Sequence, residues 1–155
     1  MSQFQHSDSV VISSTPEALY DLVTDIGRTG EWSPICRECS WNDGGSPAAG
    51  AWFTGRNEAD GRSWETTSKV DVAQRGRQFA WLVGGEYVRW AYLFEAVEAG
   101  QTRLTESWDF LPAGRQMFQD AYGDGADERI QLRRNQAIAG IPETLAAIKR
   151  IAETE

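Results

Sequence analysis

Apolar positions along this chain follow two periods, and the change from one to the other divides the fold. In residues 124–152, Ile130, Ala137, Ile138, Ile141, Leu145, Ile148 and Ala152 fall on one stripe at about 100° per residue, which predicts a long amphipathic helix. Asp124 is placed to cap it, with Asp127 and Glu128 in the first turn. Gly140 and Pro142 predict a bend near residues 138–142, because proline removes an amide donor and crowds the preceding turn. Arg134 falls among Ile130, Ile138 and Ile141, so its guanidinium must reach water or meet a partner inside.

From residue 35 to 111 the period is two, with turn signals at 42–50, Asp60-Gly61, Arg75-Gly76, Gly84-Gly85 and Ala99-Gly100. This predicts six antiparallel strands in a meander. The alternation assigns one face to Phe53, Gly55 and Asn57, then Trp64, Thr66, Ser68, Val70 and Val72, then Phe79, Trp81 and Val83. Val88, Trp90, Tyr92 and Phe94 continue it, followed by Leu104, Glu106, Trp108 and Phe110. Ahead of the meander, residues 4–13 predict a further strand. Ser14, Thr15, Pro16 and Glu17 then read as a helix start with a hydroxyl cap and a capping-box glutamate, and a second short helix is expected over residues 26–32. Residues 112–123 are expected to form a loop carrying Met117, Phe118 and Tyr122, as a lid or as packed-down side chains. One domain spanning 1–155 is expected, of α+β class, with a curved seven-stranded antiparallel sheet around the long helix.

The net charge of −8 argues against a nucleic-acid partner or an anionic membrane surface. No stretch reads as a signal peptide or membrane span, so a cytoplasmic protein without stable membrane insertion is expected, with monomer and homodimer both open. Cys36 and Cys39 form a CxxC, but no second pair exists and the only histidine is His6. Metal-free thiols are expected, pointing apart on an extended strand, and no cofactor is called for.

The pieces VVISSTPEALYDLVTDIG, EWSP, FTGRN, WETTSKV, FAW, RWAYLFEAV and TRLTESWDF, in this order and spacing, resemble the START-like superfamily, also called SRPBCC or helix-grip proteins. The polyketide cyclase/dehydrase-like branch is the nearest in pattern. The resemblance implies a helix-grip fold with a cavity between the sheet and the C-terminal helix, in which relatives hold lipids, sterols, polyketides or other apolar molecules.

The residues themselves lead to a compatible expectation. Phe53, Trp64, Phe79, Trp81, Trp90, Tyr92 and Trp108 on the sheet, opposed by Ile138 and Ile141 on the helix, either fill the space between or line an apolar pocket. An apolar cavity has no structural need for Asn57, Thr66, Ser68, Tyr92, Glu106 and Arg134, which complete the set of candidate ligand contacts. Glu106 either pairs with Arg134 or faces a ligand. A binding protein for a small hydrophobic or aromatic ligand is the first expectation. The alternative is a cyclase or dehydratase in which Glu106 serves as acid or base while Tyr92 and Arg134 polarise a carbonyl. A third is a protein-protein adaptor using Trp52 and Leu93 on the outer face.

Overall fold

In the computed structural model, which describes residues 3–155, seven strands form one antiparallel sheet in the order β1-β7-β6-β5-β4-β3-β2. The strands are β1 (Gln5–Ile12), β2 (Cys36–Trp41), β3 (Trp52–Ala59), β4 (Arg62–Gln74), β5 (Gln78–Val83), β6 (Val88–Glu98) and β7 (Gln101–Phe110). Between β1 and β2 come the helix α1 (Pro16–Val23) and a 3₁₀ helix (Ile26–Glu31); after β7 come α2 (Pro112–Tyr122) and the 29-residue α3 (Ala126–Thr154). This is the α+β helix-grip arrangement, a curved sheet closed by a long C-terminal helix.

Local chemistry explains most boundaries. Thr15 caps α1 by accepting from the Ala18 amide at 3.2 Å, and Pro16 occupies the first helical position, where its missing N–H costs nothing. With Thr15 as cap, Glu17 stands one position too early to close a capping box. The β3–β4 hairpin turns on Asp60 and Gly61, both in the left-handed region. Phe79, Tyr92, Phe94, Leu104, Trp108 and Phe110 on the inner sheet face meet Ile130, Ala137, Ile141, Leu145 and Ile148 of α3 in a single core.

Five expectations are corrected. Residues 112–123 are mostly the helix α2, started by Pro112 and packed through Phe118 onto Phe110, with ring centroids 5.1 Å apart. Gly114 is what lets it pack, since a Cβ there would lie 2.4 Å from the Tyr87 carbonyl oxygen. Asp124 does not cap α3: it belongs to a short 3₁₀ turn, and Gly125 is the cap residue, without a side-chain bond. A β-bulge between Val70 and Val72 turns Val72 away from the inner face and hands its place to Ala73, which pairs with Phe79. A second bulge, between Cys36 and Glu38, similarly reorients the cysteines. On the outer face Trp52 (39% exposed) and Leu93 (40% exposed) belong to β3 and β6, with β4 and β5 between them, so they do not form one patch.

Candidate functional site

The inner sheet face and α3 do not close completely on each other. Between them lies a cavity of about 510 Å³, within the range of small-molecule sites. Its sheet wall carries Phe53, Asn57, Trp64, Thr66, Ser68, Phe79, Trp81, Trp90, Tyr92, Glu106 and Trp108, because alternation along β3 to β7 turns these positions to one side. Its helical wall is Arg133, Gln136, Ala137, Gly140, Ile141 and Thr144 of α3, with Met117, Phe118 and Tyr122 of α2 at one end.

Of the residues singled out from sequence, Arg134 and Ile138 are not in the lining. At about 100° per residue they share the flank of α3 with Leu145, which lines a shallow groove against Asp8, Ser9 and Val10 of β1. The cavity takes the opposite flank. An apolar stripe locates the buried side of a helix without saying which edge of it faces empty space. The pairing of Glu106 with Arg134 is therefore not formed: no ion pair joins them, and Glu106 Oε1 and Arg134 Nε are each buried without a hydrogen-bond partner.

Glu106 is the chemical centre of the cavity. It is 5% exposed, its neighbours on the inner face are Leu104 and Trp108, and burial pushes its carboxyl up to about 8. At neutral pH it is a proton-bearing donor and acceptor rather than a charge. Tyr92 stands directly across from it on β6. Burial raises the tyrosine well above its ordinary range, the Glu106 charge adds to this, and a hydrogen bond from the Trp32 indole opposes it. Asn57 Nδ2 donates to Thr66 Oγ1 at 3.1 Å, so that pair spends part of its polarity internally.

Arg133, adjacent to the arginine that periodicity favoured, lies where a ligand would meet it. Its guanidinium sits 4.7 Å from the centroid of the Trp64 ring, and Nη1 donates to Gln136 Oε1 at 3.3 Å. Burial lowers its pKa; Tyr122 opposes this, and the like charges of Arg129 and Arg62 add to it. Among the described residues no carboxylate lies within 4.0 Å of Arg62, Arg129 or Arg133. The i, i+4 spacing of Arg129 and Arg133 behind Tyr122 is the sequence signal that could have found this end, where periodicity favoured Arg134 instead.

Cys36 and Cys39 both line the cavity, against the expectation that they point apart. The bulge after Cys36 inserts the residue that brings both side chains to one face. As a thiol, Cys36 donates to the Glu38 carbonyl oxygen at 3.5 Å. No group of three or more potential metal-ligating side chains occurs among the described residues.

Fold and cavity together define a helix-grip protein with an apolar, sparsely polar interior. The chain belongs to the polyketide cyclase/dehydrase and lipid transport family, which it matches over residues 3–135. It is similar to a polyketide cyclase-like protein from Corynebacterium glutamicum solved by NMR, with 48% identity, TM-score 0.72, and coverage of 97% of this chain and 92% of that one. A START superfamily protein from Mycobacterium smegmatis shares the fold at 16% identity and TM-score 0.68, with 97% of each chain covered. The di-domain ARO/CYC protein of the steffimycin biosynthetic pathway does so at 13% identity and TM-score 0.69, with 97% of this chain aligned to 51% of that one. No curated protein matches the sequence. Among the described residues no helix is long and apolar enough to cross a membrane.

Proposed function

We propose that the chain binds a small hydrophobic or aromatic molecule carrying at least one hydrogen-bonding oxygen, with its apolar body against the tryptophans and its oxygen at Glu106. The observation that carries this reading is the orphaned Oε1 of a buried Glu106 in a cavity of about 510 Å³. A buried polar atom without a partner costs roughly 1–3 kcal/mol, which a ligand hydroxyl or carbonyl recovers. The absence of a carboxylate partner for Arg133 favours a second, acidic or strongly polar end on the ligand.

Titration with 1-naphthol, followed by tryptophan emission, tests the reading. Saturable quenching is expected, and it should be lost when Ala137→Leu fills the lining beneath α3. Quenching that is linear in probe, or untouched by that substitution, places the binding elsewhere. Native mass spectrometry of freshly purified protein serves as the companion measurement, to catch a carried ligand.

A second reading, general acid-base chemistry on the same ligand, is favoured by one observation: a carboxyl pushed to about 8 exchanges its proton near neutral pH. The family's cyclase members and the steffimycin-pathway relative are consistent with it. In that case Glu106→Gln abolishes turnover of a poly-β-keto thioester analogue while leaving its affinity within about threefold, because the amide preserves a donor but carries no labile proton.

A further inference from the structure

The CxxC plays no part in the ligand reading, and the bulge gives it a geometry that an ordinary strand would not. Residues three apart on a regular strand point to opposite faces. Here Cys36 pairs with Asn57 while Cys39 pairs with Gly55, the register slipping between them, and both thiols reach the same wall. They converge above Gly55. A Cβ at that glycine would lie 3.3 Å from Cys36 Sγ and 3.6 Å from Cys39 Sγ, so the missing side chain is the space the two sulfurs occupy. Both thiols are free and only partly buried, which leaves them within reach of a reagent entering the cavity.

We propose that Cys36 and Cys39 form a redox-active dithiol in the cavity wall, whose substrates are small-molecule disulfides. The Cys36 thiolate attacks one sulfur of the disulfide, forming a mixed disulfide and releasing the first small thiol. Cys39 then gives up its proton and attacks the Cys36 sulfur, closing the protein disulfide and releasing the second thiol. The dithiol is oxidised by two electrons, the small disulfide is reduced to two thiols, and the protons from the protein thiols end on the products. Roles follow from the contact between the sulfurs: the hydrogen bond from Cys39 is the main influence holding the Cys36 thiol down, assisted by the Glu38 backbone and Arg56, whereas the same bond holds Cys39 up. Thr66 Oγ1 lies at the same spot above Gly55, 3.6 Å from the same Cβ position, and supplies a polar neighbour for the exchanging sulfurs.

The whole chain, reduced and then treated with bis(2-hydroxyethyl) disulfide, decides the matter by intact mass after alkylation with iodoacetamide. The expected product has lost two hydrogens and takes up no alkyl group. Cys39→Ser is expected to stop at the mixed disulfide on Cys36, and Cys36→Ser to react at least about tenfold more slowly, since burial still holds the remaining thiol up and leaves it little thiolate. Retention of both alkylatable thiols in the wild-type chain, accumulation of adducts on both cysteines, or an adduct first on Cys39 overturns the proposal. The wild-type result alone suffices should either variant fail to fold, and none of these outcomes depends on what else the cavity binds.

Discussion

Tyr92 and Glu106 face each other across β6 and β7 as direct cross-strand partners, both buried in the cavity wall, and Glu106 Oε1 has no hydrogen bond. Burial lifts the carboxyl from 4.5 to about 8, so the folded chain holds a proton that the unfolded chain releases. The stability this group contributes is complete below pH 4.5, declines as pH rises, and is gone above about 8. Glu106→Gln has no such proton to lose. Its stability relative to wild type should therefore rise between those limits by on the order of 3–5 kcal/mol, read from urea denaturation at a series of pH values. A difference that stays flat with pH means that the carboxyl is ionised when folded.

The same proton sets ligand choice. Below about pH 8 Glu106 offers a donor and an acceptor, so 1-naphthol should bind about 3–10-fold more tightly than naphthalene. Glu106→Leu should erase this preference while keeping the affinity for naphthalene, and Glu106→Gln should retain most of it. Equal loss of both probes in the leucine variant would show that Glu106 shapes the pocket rather than contacting the oxygen.

What could be read from sequence, and what could not, follows the physics of each element. Alternation in Val88, Trp90, Tyr92 and Phe94, and in Leu104, Glu106, Trp108 and Phe110, assigns faces because β6 and β7 stay in register across all eight positions. It fails where a bulge interrupts the count, at Val72 and at Cys39, since neither bulge carries a glycine to announce it. α2 is obscured by Gly114 within it and by Gly123 and Gly125 just after it, although Gly114, Phe118 and Tyr122 recur every four residues behind Pro112, a helical signal. Choosing between Arg133 and Arg134 required knowing which edge of the α3 stripe faces β1, a tertiary fact that periodicity does not hold.

Arg133 carries the expectation about charge. Stacked on Trp64 beside Arg62 and Arg129, without a carboxylate partner, it favours an anionic group at this end of the cavity even though the chain as a whole is at −8. Isothermal titration with 2-naphthoate and 2-naphthol should show the acid losing about tenfold in affinity on Arg133→Gln, with the neutral alcohol changed by less than about threefold. Added salt should weaken only the acid. Parallel losses for both compounds would assign Arg133 to packing against Trp64.

Gly114 offers a test of how α2 closes the cavity. In an ordinary helix, glycine to alanine stabilises by roughly 1 kcal/mol. Here the new Cβ would lie 2.4 Å from the Tyr87 carbonyl oxygen and 3.1 Å from the Phe110 ring, backbone on one side and a packed aromatic on the other, so α2 must move away from the sheet. Gly114→Ala should therefore destabilise, by about 1–3 kcal/mol. Phe118→Ala, which removes the ring that meets Phe110 but leaves the backbone where it is, should cost about 3 kcal/mol. The two differ in how they treat a bound probe. Displacing α2 moves Met117, Phe118 and Tyr122 together and should weaken 1-naphthol strongly, whereas removing Phe118 alone enlarges one end and should chiefly speed dissociation. A Gly114→Ala chain that is as stable as wild type, measured by urea denaturation, would mean that α2 rides on the sheet loosely and does not form a fixed wall of the cavity.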